Sequence, residues 1–137
     1  MSLCLTTPAP NPERSATLLA QLGFEPVVDG AALWTDGAAL LHVDPAPRAR
    51  AGIQVWRDEL GDGAAACLGG PEAAKFDGGQ LLVAPSGTPV WVMDGTRPEV
   101  ELGSRGGVLG QFAGISLETP SLARSVEFWG SLLGARV

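Results

Sequence analysis

Residues 11–24 read NPERSATLLAQLGF, and this segment specifies one helix together with both of its ends. Asn11 is the expected N-cap, Pro12 takes the first helical position, and Glu13 places an acid in the first turn. Gly23 is the expected end of the helix. The residues expected to face the core recur at helical spacing; they are Ala16, Leu19 and Leu22, with Leu18 beside them.

Short strands are predicted on both sides of this helix, because the apolar pattern there changes to strand-like alternation. They cover residues 3–7, 25–28, 32–35 and 39–43. Asp29-Gly30 and Asp36-Gly37 are the expected turns, since Asx-Gly pairs allow the positive φ of a tight hairpin. A second unit of the same kind follows, whose helix at residues 59–68 is weakened by Gly61 and Gly63. Its strands are predicted at residues 52–56, 74–76, 81–84 and 90–93.

The first pattern then returns as an internal repeat. Arg14-Ser15 recurs as Arg124-Ser125, and Leu22-Gly23 recurs as Leu133-Gly134. A strand is predicted at residues 112–117, followed by a helix that begins at Pro120-Ser121, ends at Gly134 and carries a buried apolar stripe. That stripe consists of Leu122, Val126, Trp129 and Leu133.

The sequence therefore predicts an α+β chain in three parts. Residues 1–97 form a domain of paired βαβββ units, and residues 98–110 form a Gly-rich linker. Residues 111–137 begin a second domain, which we expect to be truncated.

Composition and charge exclude several classes of protein. Of 137 residues, 45% are hydrophobic and 18% are charged, which is a globular balance. The net charge of -6 and the absence of a cationic cluster argue against nucleic acid and anionic membranes as partners. The apolar runs are too short to span a membrane, and the N-terminus lacks the pattern of a signal peptide. With two cysteines that form no framework, we expect a cytoplasmic protein with reduced thiols.

This order of strand, helix and three strands, repeated once, resembles the vicinal-oxygen-chelate superfamily. That superfamily holds glyoxalase I, extradiol dioxygenases, methylmalonyl-CoA epimerase and bleomycin-resistance proteins. The resemblance rests on residues 11–24, on their repeat at residues 121–134, and on the hairpin APSGTPVWV at residues 84–92. The hairpin is similar to the family's Asp-Pro-Asp-Gly ending with the acids replaced. The resemblance covers about residues 3–94 and 111–137, as in a fragment of a tandem-domain member.

The resemblance implies that the paired units form an open, eight-stranded, barrel-like sheet around a cleft. Family enzymes hold a divalent metal there, usually with two His and two Glu. The matching positions here are degenerate, namely Cys4, His42, Gly52 and Trp91. Glycine and tryptophan offer no ligand atom, and His42 is the only histidine in the chain. We therefore expect no metal site and no cofactor in this chain alone.

Strand alternation in the same register defines candidate ligand-binding residues in the cleft. They are His42, Gln54, Trp56, Trp91 and Met93. Their aromatic side chains either contact a ligand or simply fill the core.

Three functions stay open. The first is a metal-free binding protein for a small aromatic or hydrophobic molecule, similar to the bleomycin-resistance members, and we favour it over catalysis. The second is a lyase or ring-cleaving dioxygenase whose Fe, Mn, Ni or Zn site lies in a missing half or across a dimer. The third is a degenerate structural domain that forms a homodimer or self-associates through the truncated third unit.

Overall fold

The computed structural model describes residues 3–27, 32–46, 50–101, 108, 110 and 112–134 of the chain. It divides into two compact units, the first from residues 1–51 and 98–115 and the second from residues 52–97 and 116–137. Both combine helices with a mixed sheet, so the chain is α+β, as predicted. The expected turn at Asp29-Gly30 lies outside the described residues, as does most of the predicted linker.

The first unit follows the predicted order of one strand, one helix and three strands. Its elements are β1 (Cys4–Pro8), α1 (Pro12–Gln21), β2 (Glu25–Pro26), β3 (Leu33–Thr35) and β4 (Leu40–Asp44). The strands lie in the order β2-β3-β4-β1. Antiparallel pairing joins β2 to β3 and β3 to β4, whereas β1 is parallel to β4. The helix α1 is the crossover that this parallel return requires.

Helix α1 begins and ends as the sequence predicts. The side chain of Asn11 accepts a hydrogen bond from the backbone N–H of Arg14 at 3.1 Å. Gly23, with φ of 86°, takes the left-handed conformation directly after the helix. Leu19 is buried in a cluster with Ala9 and Val43. One face of the first sheet is therefore covered by α1.

The second unit repeats this strand pairing with a different helix layer. Its elements are β5 (Gly52–Trp56), a 3-10 turn (Arg57–Glu59), α2 (Ala64–Leu68), β6 (Ala74–Phe76), β7 (Gly79–Val83), β8 (Pro89–Met93) and α3 (Leu122–Leu133). The strands lie in the order β5-β8-β7-β6, with β5 parallel to β8 and the other pairs antiparallel. Helix α2 has only five residues, which agrees with the weak helix that the glycines predict.

Helix α3 packs beside α2 in this unit. The backbone N–H of Gly61 donates to the carbonyl oxygen of Leu132 at 2.8 Å. Leu132 is fully buried, and the hydroxyl of buried Ser125 hydrogen-bonds that of Thr119 at 2.7 Å. Helix α3 thus adds to the helix layer that the short α2 begins.

Two predictions for this region are wrong. Residues 112–119 form neither helix nor strand, so the strand predicted at residues 112–117 is absent. The predicted buried stripe of α3 turns partly outward, because Leu122 is 74% and Val126 is 36% exposed. The packed side of the helix instead carries Ser125 and Leu132. Self-association through this segment stays a prediction, as does the division at residues 97 and 110.

Candidate functional site

The register of the second sheet sorts its side chains onto two faces. Gln54 lies beside Trp91 on the neighbouring strand, Trp56 lies beside Met93, and Leu81 lies beside Trp91 on the other side. Side chains of directly paired residues share a face, and successive residues alternate. We call the resulting set the tryptophan face; it consists of Gly52, Gln54, Trp56, Leu81, Trp91 and Met93.

The opposite face of this sheet turns toward the helices. It carries the buried side chains Ile53, Val55, Gln80, Leu82, Val90 and Val92. The Gln80 amide nitrogen donates to the carbonyl oxygen of Leu68 at the end of α2, at 3.2 Å. The Gln80 amide oxygen accepts from Arg57 at 3.1 Å. This face is therefore the apolar core of the unit, and its one amide is hydrogen-bonded at both its oxygen and its nitrogen.

Trp91 covers Gly52 on the tryptophan face. A Cβ added to Gly52 would lie 2.6 Å from Cζ3 of the Trp91 indole, and would also clash with the carbonyl oxygen of Pro89. Glycine in a strand often marks such a close approach. The indole therefore occupies the space in which a metal ligand at position 52 would stand.

Gln54 is the polar side chain of this face. It is only 8% exposed, and its amide makes no hydrogen bond with any residue that the structure describes. Within that part of the chain, Arg97 Nη1 is the one fully enclosed polar side-chain atom without a partner, so the Gln54 amide keeps a little accessible surface. Gln54 thus offers donors and an acceptor to a molecule that reaches this face.

The three large apolar side chains of the predicted site differ in accessibility. Trp56 is 5% exposed, so packing accounts for most of its surface. Trp91 and Met93 are only half-buried and keep part of their surface open. The structure therefore brings Gln54, Trp56, Trp91 and Met93 together on one face, and Trp91 and Met93 provide its accessible apolar area.

His42 belongs to the first unit, on β4. Its Nδ1 shares a hydrogen bond of 3.1 Å with the hydroxyl of Thr6 on the parallel strand β1. Burial lowers the pKa of His42 below its ordinary value, and the carboxylate of Asp44 opposes part of this effect. The imidazole is accordingly neutral at pH 7, which suits hydrogen bonding. Cys4, two residues before Thr6, is completely buried, so its thiol is enclosed rather than presented as a nucleophile.

The residues at the four positions matched to the family's metal ligands do not fit a metal ion. In the first unit, Cys4 is enclosed and His42 is engaged with Thr6. In the second, Gly52 has no ligand atom and is covered by Trp91. Across the described ranges, no three His, Cys, Asp or Glu side chains lie together as a metal site requires. We derive no metal-dependent step for these residues.

Sequence reasoning missed two pockets, one in each unit. The first unit has a pocket of about 300 Å³ whose lining includes Phe24, Leu41 and Phe112. The second has a groove of about 570 Å³ whose lining includes Cys67, Arg124 and Phe128. For the groove of the second unit, the available sequence signal was the weak helix predicted at residues 59–68, because a short helix leaves part of the sheet uncovered.

None of the helices within the described residues is long and apolar enough to cross a membrane. A comparison with models of known protein families finds no match for this chain, and a search of curated proteins also finds none.

Proposed function

We propose that this chain binds a small, uncharged, flat aromatic molecule on the tryptophan face of the second unit, without a metal ion. The observation that carries the proposal is Gln54, a nearly buried amide without a hydrogen-bond partner beside the partly open indole of Trp91. Because this amide keeps a little accessible surface, its donors and acceptor are open to a molecule that reaches the face. A ligand that bonds to both ends of the amide would take the place of water there.

The side chains of this face favour an uncharged ligand. None of its six members is ionisable, although 18% of the chain's residues are charged. An aromatic ring stacked on Trp91 gains roughly 0.5–1.5 kcal/mol beyond the area that it buries. Hydrogen bonds to both ends of the Gln54 amide then fix the ligand's orientation, which favours a molecule with adjacent donor and acceptor groups, such as an aromatic amide.

We further propose that each unit has the βαβββ fold of the vicinal-oxygen-chelate superfamily. The support is their shared strand pairing, because in each unit the last strand returns to pair in parallel with the first. With that fold the chain acts as a binding protein, in the manner of the antibiotic-sequestering members, rather than as a metal enzyme.

Ligand-observed NMR with two neutral probes tests this proposal. Benzamide carries an amide edge and ethylbenzene does not, so both should receive saturation from the protein while benzamide binds more tightly. Trp91→Leu should abolish saturable binding of both probes. Gln54→Leu keeps side-chain size and should remove the preference for benzamide, about a fivefold change for one net hydrogen bond.

Trp129→Phe on α3 is the matched control, because it removes an indole outside the tryptophan face and should leave both probes bound. If a wider panel of neutral aromatic amides gives no saturable signal, the proposal fails. Elemental analysis tests its metal-free part separately. One equivalent of a divalent ion, lost in His42→Ala, would overturn that part.

A further inference from the structure

The groove of the second unit lies on the helix side of the sheet, away from the tryptophan face. Its floor is the end of β7 with the turn that follows it, and its walls come from α2 and α3. It exists because α2 ends after five residues, where Gly69, Gly70 and Pro71 cannot continue a helix. A volume of about 570 Å³ is in the range of small-molecule sites.

The floor of this groove is apolar, whereas its walls also carry polar groups. Leu82, Ala84 and Pro85 form the floor, and the ring of Phe128 forms part of the α3 wall. Cys67, a free thiol on α2, also lines it. Burial raises the pKa of the Cys67 thiol, and the Glu127 carboxylate adds to this effect against an opposing backbone hydrogen bond. The thiol is therefore neutral at pH 7 and adds to the apolar lining.

Two charged side chains line the groove, Arg124 and Glu72, and the Glu127 carboxylate lies close enough to act on the Cys67 thiol. Arg124 lies one helical turn before Phe128 on α3, so both reach the groove from one face of the helix. Its guanidinium forms no ion pair with any side chain in the described ranges. Glu72 belongs to an exposed turn after α2. Both side chains are exposed, but Arg124 is carried by a regular helix one turn from Phe128, whereas Glu72 is carried by a loop.

We propose that this groove binds an apolar molecule carrying one anionic head group, such as a carboxylate or sulfonate. The head group pairs with Arg124, whose planar fork of donors matches such oxygens. The apolar body lies along Phe128 and Leu82. Because the whole chain is acidic, an anion is held here by this local cation and not by the general field of the protein. The site is independent of the tryptophan face, since Leu82 and Trp91 lie on opposite faces of the sheet.

Two fluorescent probes of similar shape test the proposal on the intact chain. 1-Anilinonaphthalene-8-sulfonate carries the anionic group, and N-phenyl-1-naphthylamine does not. Arg124→Gln should weaken binding of the sulfonate probe about tenfold, as expected for a charged hydrogen bond, and leave the neutral probe unchanged. Glu72→Gln should tighten the sulfonate probe slightly, because a repulsive charge is removed.

Arg14→Gln is the matched control, since Arg14 is exposed and holds the same position behind the N-cap of α1. It should bind both probes as the wild type does. Cys67 locates the site: occupation by the sulfonate probe should slow alkylation of Cys67 by iodoacetamide, measured at alkaline pH by mass spectrometry. The proposal would be overturned by an unchanged affinity of Arg124→Gln for the sulfonate probe, or by a rate of Cys67 alkylation that stays the same when the probe is saturating.

Discussion

Strand propensity and side-chain packing predict opposite effects of Gly52→Ala on stability. By strand propensity alone, alanine should stabilise β5 by about 0.5–1 kcal/mol relative to glycine. The packing predicts the reverse, because the new methyl group would lie 2.6 Å from Cζ3 of Trp91 and closer still to the carbonyl oxygen of Pro89. The indole can tilt, but the Pro89 carbonyl is part of the sheet. Overpacking costs about 1–3 kcal/mol. The upper end of that range applies here because the new methyl group meets a backbone carbonyl that cannot move aside.

The net expectation is a loss of about 2 kcal/mol in the free energy of unfolding, after the propensity gain is subtracted. In a chain of this length that lowers Tm by roughly 5–8 °C. Urea denaturation followed by circular dichroism measures it. Gly70→Ala is the control, since its new Cβ would meet the carbonyl oxygen of Cys67 at 3.4 Å, an ordinary contact. In the double variant Gly52→Ala/Trp91→Leu, the loss in the free energy of unfolding should be smaller than the sum of the losses in the two single variants. A Gly52→Ala variant as stable as the wild type would refute the account of Trp91 lying over Gly52.

Three further predictions concern stability. Since burial holds the folded pKa of His42 below its ordinary value of 6.5, the unfolded chain takes up the proton first as pH falls. Stability should therefore be highest above that value and decrease below it, and urea midpoints of His42→Gln should lack this part of the decrease. Leu132→Ala should cost about 2–5 kcal/mol while Leu122→Ala changes stability by about 0.5 kcal/mol or less; equal losses would contradict the packing of α3. Asn11→Ala should lower stability by about 1 kcal/mol. Ser121→Ala should lower it by less, because the capping hydrogen bond of Ser121 is longer, at 3.4 Å against 3.1 Å for Asn11; thermal melts of both variants measure the difference.

The sequence was most informative where short-range chemistry decides structure. Asn11 and Gly23 fix the ends of α1, and both lie where the sequence predicts them. The strand at Gly52–Trp56 was also predicted with its observed bounds. In such segments, capping, turn geometry and strand alternation act within a few residues, so the local pattern is sufficient.

The last helix shows where local pattern fails. Its bounds were predicted, but its buried side was not. The apolar spacing of Leu122 and Val126 favoured one face, yet the helix packs through Ser125 and Leu132. Ser125 can be buried because Thr119 satisfies its hydroxyl, and no one-dimensional pattern contains that partner. Residues 112–117 have strand-like composition, but composition does not supply a pairing partner.

The candidate site, too, could be predicted from the sequence only in part. Alternation along β5 and β8 was enough to place Gln54, Trp56, Trp91 and Met93 on one face, because side-chain direction in a strand has a fixed period. It could not show that Trp91 covers Gly52, that Gln54 lacks a partner, or that a groove opens beside Cys67. Those features depend on distances between segments far apart in the chain. The sequence by itself determined the ends of α1 and α3 and the order of the strands within the two units, whereas the tertiary structure decided which side chains meet, since burial and hydrogen bonding are set by non-local packing.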